Sequence, residues 1–149
     1  MREILFRGKQ ITDKVWVVGG IDTVTDGKPY ICKRARYRPD TRDWDTAEYY
    51  EKNPHYTRAC IEVIPETIGQ FTGLTDKNGE KIFEGDVVKV RQERCDGIGV
   101  IGYENGSFMI YVTYGNIYER TLFDYWYNDW GLEVIGNKYD NPELLEVKS

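Results

Sequence analysis

Residues 75–114 read TDKNGEKIFEGDVVKVRQERCDGIGVIGYENGSFMIYVTY, and this stretch decides the fold. Asn78-Gly79 and Asn105-Gly106 each tolerate the positive φ values that a tight type I′ hairpin requires. Val87-Val88-Lys89-Val90-Arg91 is β-branched, with Val88 and Val90 on one face. Asp96-Gly97 turns the chain, Ile98 to Tyr103 runs extended, and Phe108 to Tyr114 is its hairpin partner. That partner is apolar on both faces, with Phe108, Ile110, Val112 and Tyr114 set against Met109 and Tyr111, which predicts a strand covered on both sides. Four or five short strands joined by tight turns suit a small closed barrel. The expected fold class is therefore mainly β, with an SH3-like small β-barrel over residues 66–149.

Working outward, Arg120 to Trp130 is aromatic-rich and reads as a loop or a short helix. Leu132-Glu133-Val134-Ile135-Gly136 reads as a last strand, and Asn141-Pro142 as the start of a one-turn helix. Upstream, residues 2–6, Lys14 to Ile21, Tyr30 to Cys32 and residues 59–64 read as strands. Thr67 to Thr72 reads as a further extended segment. Asp45 is an N-cap with Glu48 three residues on, which predicts a short helix from Thr46 to Lys52, stopped by Asn53-Pro54. Residues 1–65 thus form a β-rich lobe carrying one short helix, either separate from the barrel or merged with it into one domain.

The chain has 149 residues, 40% apolar and 30% charged, a globular composition long enough to bury a core. A net charge of −5 argues against a whole-surface nucleic-acid binder while leaving room for a local basic patch. A single His, His55, between Pro54 and Tyr56 on an expected loop and without a Gly-x-Ser-x-Gly motif, leaves little basis for a hydrolase triad. Classical nucleotide-binding loops are absent from the sequence. The polar start, Met1 to Lys9, has no apolar h-region, and the longest apolar stretch, Val15 to Ile21, is too short to span a bilayer. Cys32, Cys60 and Cys95 are odd in number and widely spaced, which predicts reduced thiols in a cytoplasm, with Cys60 in the core. Asn105-Gly106-Ser107 matches a glycosylation sequon, but its setting makes it a turn.

Three blocks carry a family resemblance. Residues 64–88, IPETIGQFTGLTDKNGEKIFEGDVV, resemble the signature block of the YopX family of bacteriophage and prophage proteins. The opening Arg2-Glu3-Ile4 with Phe6-Arg7-Gly8-Lys9 is similar to that family, as are the closing Leu132 to Asn137 and Asn141 to Leu145. Lys33 to Arg58 lies outside the resemblance. The resemblance implies a small β-rich phage-encoded protein in a bacterial host, inclined to homo-oligomers, and supplies no catalytic residue. Physically, the same motif reads as fold-making: Gly73 and Gly85 permit backbone bends, and Asp86 is placed to accept from backbone amides where a strand begins.

Several constellations remain to be weighed. Asp76-x-Asn78 with Glu84 offers the oxygen ligands of a calcium loop, but Gly79 falls fourth where an EF-hand needs glycine sixth, so a plain hairpin is expected and no metal or cofactor. Glu84 and Asp86, two apart, are the carboxylates an enzyme would use first. From Lys28 to Arg42 there are six basic residues and one acidic. If that run is extended, Arg34, Arg36 and Arg38 share one face and could follow phosphates with Lys33 and Tyr37. Pairing with Asp43, Asp45, Glu48 and Glu51, or with the acidic C-terminal end, is the structural alternative. Tyr111, Tyr114, Tyr118, Tyr125, Trp126 and Trp130 are candidate interface aromatics, because a barrel this small cannot easily hide so many rings. The function expected is a non-enzymatic phage or prophage accessory protein, acting through a homo-oligomer and contacts with phage or host proteins, without a membrane. The alternative is a nucleic-acid-binding barrel using the Arg34–Arg38 stripe.

Overall fold

Strand alternation places the cores. In the computed structural model, residues 4–23, 27–38, 43–45, 57–92 and 95–146 are described, with backbone alone at 23, 33–38, 43–45, 57–59, 92 and 95. The predicted helix from Thr46 to Lys52, His55, and the acids Glu48 and Glu51 lie outside the described residues, as do Arg2 and Glu3. The chain divides into two compact units, Ile4–Ile68 and Gly69–Ser149. Every described strand pairing in either unit is antiparallel.

In the first unit, β1 (Phe6–Lys9), β2 (Trp16–Thr23), β3 (Pro29–Arg38) and β4 (Asp43–Asp45) follow one another as neighbours. β5 (Thr57–Glu62) also pairs with β3, and Pro65–Thr67 forms a 3-10 turn where an extended segment was expected to begin. Pro65 fixes the first helical φ, and the Thr67 hydroxyl donates back to the Ile64 carbonyl at 2.6 Å. Val17, Ile31 and Val63 are buried, with Phe6, Ile61 and Ile68 packed on them. Gly19 and Gly20 lie inside β2. A Cβ at Gly19 would stand 2.4 Å from the Cys32 carbonyl oxygen, so the glycine admits β3 at close range.

The expectation of reduced thiols is corrected. Cys32 on β3 and Cys60 on β5 are register partners and form a disulfide, with Cα atoms 4.1 Å apart. Cys60 is exposed rather than core, because Ile61 and Val63 take the inward positions of that segment. Sequence spacing could not show this, since 28 residues separate the pair and only sheet register joins them. Closing a loop of that length stabilises the fold by roughly 3.5 kcal/mol in the chain-entropy view.

The second unit begins with the hairpin β6 (Gly69–Thr75) and β7 (Lys81–Phe83). β8 (Asp86–Gln92), β9 (Cys95–Glu104), β10 (Ser107–Gly115), β11 (Arg120–Thr121) and β12 (Glu133–Asn137) form a sheet of order β11-β10-β9-β8-β12. α1 (Leu122–Tyr127) is the α-helix among the described residues, and Pro142–Leu145 is a 3-10 turn. The core holds Ile82, Val88, Val90, Ile101, Ile110, Leu122 and Tyr125. Among the described residues no closed barrel is found: the five-stranded sheet ends in edges at β11 and β12.

Two turns differ in kind. Asn105 and Gly106 take φ of 51° and 79°, with Glu104 paired to Ser107, so this is the two-residue type I′ hairpin that was expected. At Asn78-Gly79 only the glycine has positive φ, and Thr75 pairs with Lys81 across a longer loop. That loop is organised by the buried Asp76. Its Oδ1 accepts from the amides of Asn78 at 2.8 Å and Glu80 at 2.9 Å, and its Oδ2 accepts from the Val134 amide at 2.9 Å. Both carboxylate oxygens therefore serve the backbone.

Asp76→Ala should lower stability by about 3 kcal/mol, because it leaves amides of two segments without a charge-assisted acceptor. Asp76→Asn, which keeps one carbonyl oxygen, should lose less. Urea unfolding checks this, and equal midpoints for wild type and Asp76→Ala would contradict it.

Candidate functional site

The Thr121 hydroxyl accepts from the Asp124 amide at 3.3 Å and caps α1. Asn128 closes the helix by donating its side-chain amide to the Asp124 carbonyl at 2.7 Å, and Asp129 then turns away at φ 53°. Leu122 and Tyr125, three apart, face the core at 1% and 0% exposure. Phe123, Trp126 and Tyr127 take the opposite face and are 55%, 44% and 71% exposed. Their rings lie together, Phe123 to Trp126 at 6.0 Å between centroids and Phe123 to Tyr127 stacked at 5.7 Å.

Phe123 also lines a cavity of about 440 Å³ with Thr72, Leu74, Gly106, Ser107, Phe108, Thr121 and Leu122. Its volume is that of a small-ligand or peptide side-chain site. None of these lining residues is an acid or a base. The Thr72 hydroxyl donates to the Ile82 carbonyl and the Thr121 hydroxyl caps the helix, so both threonines of the lining are engaged in holding the fold. A second cavity of about 80 Å³ beside Asp76 and Trp130 has room for little more than water. What the larger arrangement offers chemically is apolar and aromatic contact area.

The candidate interface aromatics separate into two groups. Tyr125 is core: its hydroxyl donates to the Tyr118 carbonyl and accepts from the Tyr118 amide at 3.0 Å, tying down the segment before β11. Trp130 is half-buried and packs edge-on against Tyr125 at 4.9 Å. Tyr114 and Tyr118 are exposed, as is Trp126, while Tyr111 is half-buried on β10. Arg120 lies over both Tyr118 and Trp130, at 5.5 and 5.8 Å from the ring centroids. Phe123 and Tyr127 lie in the same aromatic stretch and join Trp126 on the exposed face of α1. The signal for them is helical spacing: once residues 122–127 are a helix, 123, 126 and 127 share the face opposite 122 and 125.

The two carboxylates an enzyme would use first both accept from backbone amides. Asp86 is 1% exposed and its Oδ2 accepts from the Phe83 amide at 2.8 Å, while Glu84 Oε1 accepts from the Gln70 amide at 3.1 Å. The basic run lies on β3, in the other unit. Lys33, Arg34, Arg36, Tyr37 and Arg38 are described there by backbone alone. Register sets Arg36 opposite Asp45 and Arg38 opposite Asp43, but Arg34 opposite Arg58.

A family model described as "YopX protein" matches residues 5–146. No curated protein matches the sequence significantly. Among solved structures the chain is similar to protein EF1440 from Enterococcus faecalis, at 23% identity and a TM-score of 0.53, covering 98% of this chain and 100% of that one. At that identity the likeness speaks for the fold.

The Tyr111 phenol donates to the Glu104 carboxylate at 2.6 Å, and this hydrogen bond, helped by the Glu104 charge, holds its pKa above the ordinary 10.0. A phenol whose folded pKa is raised contributes stability that is whole below its unfolded pKa and is lost as pH climbs through the folded one. Thermal unfolding near pH 8 and near pH 11, on either side of the tyrosine range, should show wild type losing more than Tyr111→Phe on the alkaline side. Parallel losses would contradict the assignment.

Proposed function

The chain belongs to the YopX family, and from that membership we propose a phage or prophage accessory protein that acts by protein contact rather than by catalysis, in the cytoplasm of a bacterial host. The observation that carries the reading is the cluster of exposed rings on α1, Phe123, Trp126 and Tyr127, beside a cavity lined without acids or bases. Exposed aromatic clusters of this kind are enriched at interfaces, where large rigid rings bury much area at little entropic cost. The proposed contact is first with further copies of the same chain and then with a phage or host protein. No helix among the described residues is long and apolar enough to cross a membrane. The second unit is read as an SH3-like barrel left open between β11 and β12, on the support of its short strands and tight hairpins.

A second reading, nucleic-acid binding through β3, is favoured by one observation. Arg58 on β5 is the register partner of Arg34, which adds a further basic residue beside the run on β3. Asp43 and Asp45, opposite Arg38 and Arg36, weigh against it.

Size exclusion with light scattering should give a mass above the 17.4 kDa of one chain, and Phe123→Ser with Trp126→Ser should return it to that value. A wild-type monomer at micromolar concentration would overturn the self-association reading. For the second reading, a mobility shift with oligonucleotide at low salt should vanish at high salt and in the triple variant Arg34→Ala, Arg36→Ala, Arg38→Ala. The absence of any shift at low salt would dispose of it.

A further inference from the structure

The register of β2, β3 and β5 builds two adjacent rows on one face of the sheet. Asp22 pairs with Tyr30, which pairs with Glu62; Gly20 pairs with Cys32, which pairs with Cys60. Alternation sends Ile31 and Ile61 to the other face, where they belong to the core. Because Gly20 contributes no side chain, Asp22 is the neighbour on β2 that brings a donor to the cysteines. The Asp22 carboxylate and the two sulfurs lie within 4.8 Å of one another. Glu62, diagonal to Cys32, instead pairs with Lys28 at 3.7 Å.

The sheet, and not only the sulfur–sulfur bond, keeps this group together. Six registered pairs, from Tyr30 with Glu62 to Ala35 with Thr57, hold β3 against β5 on both sides of the cysteines. Opening the disulfide therefore leaves two thiols and a carboxylate converging from three strands. Two thiolates and one carboxylate form a donor set that favours thiophilic divalent cations of the zinc class, which take sulfur and oxygen ligands in tetrahedral geometry, with water free to fill the fourth position.

We propose that the Cys32–Cys60 disulfide is the closed state of a cation site, and that reduced Cys32 and Cys60 together with Asp22 bind one zinc-class divalent cation. Opening the site takes a two-electron reductant such as a dithiol. Its thiolate attacks the sulfur of Cys60, which is exposed, and expels Cys32 as a thiolate. The second thiol of the reductant resolves the mixed disulfide, so two electrons and two protons pass to the protein and the reductant leaves as a disulfide. Cation binding then releases the two cysteine protons. Oxidation of the pair reverses the sequence and expels the cation, making binding at this site depend on redox state.

The test uses the full chain carrying Cys95→Ser, so that only this pair can report. Cadmium, a spectroscopic stand-in for zinc, is titrated anaerobically into the phosphine-reduced, desalted protein and into its oxidised form, and the ultraviolet thiolate-to-metal band is followed. The reduced chain should saturate at one cation per chain and the oxidised chain should show no band. Asp22→Asn should weaken binding by about tenfold or more, at least what loss of an outer-shell partner costs, and Glu62→Gln should leave it unchanged. Cys60→Ser, at an exposed position, should abolish the band while circular dichroism stays that of the parent. No band in the reduced chain, a band that survives Cys60→Ser, or equal affinity in Asp22→Asn would each overturn the proposal. The oxidised parent is a control of identical sequence, so the result does not depend on any variant folding.

Discussion

The second unit depends on one carboxylate. Asp76 sits between a hairpin loop and the start of β12, and its two oxygens accept from amides on both. A neutral side chain could close the loop or greet the strand, but an ionised carboxylate does both with charge-assisted hydrogen bonds. The contact is reinforced where the Lys77 amide donates to the Leu132 carbonyl at 3.0 Å. Asp86 repeats the device on a smaller scale, bridging the turn from β7 to β8. Asp76, Glu84 and Asp86 thus all accept from backbone amides. Phe123, Trp126 and Tyr127, by contrast, stand exposed at the surface of this unit.

This division shapes how function can be built. Tyr125 and Leu122 anchor α1 in the core, and that anchoring turns Phe123, Trp126 and Tyr127 outward as one rigid group. A six-residue helix is too short to be stable alone, so its position comes from packing and from the Thr121 cap. The first unit works differently. β3 is shared by β2, β4 and β5, and the chemistry placed on it, Cys32 with its partner Cys60 on β5 and a run of arginine, follows from that sharing.

Local rules made part of this legible. Asn105-Gly106 specified its hairpin because two residues with positive φ suffice, and Asp86 announced its role because its amide partner is three residues away. The basic run was readable as extended, and it continues β3. The second task of Asp76 was not legible because its partner Val134 lies 58 residues off. Cys32 and Cys60 were misread for the same reason: their contact is a property of register, set by the pairing of β3 with β5 and not by spacing along the chain. The aromatic face required the phase of a helix, and residues 120–130 were consistent with loop or helix until Leu122 and Tyr125 were seen to be buried.

The strand order has a kinetic consequence. β8, β9, β10 and β11 join neighbour to neighbour through short connections, so each can pair as soon as it is made. β12 pairs instead with β8, closing the span from Asp86 to Asn137 around three other strands. Loop-closure entropy therefore falls chiefly on that one pairing, and contacts of long sequence separation are the ones that slow folding. The sheet is in this sense a run of fast hairpins with a single slow latch, and the latch engages beside the carboxylate of Asp76.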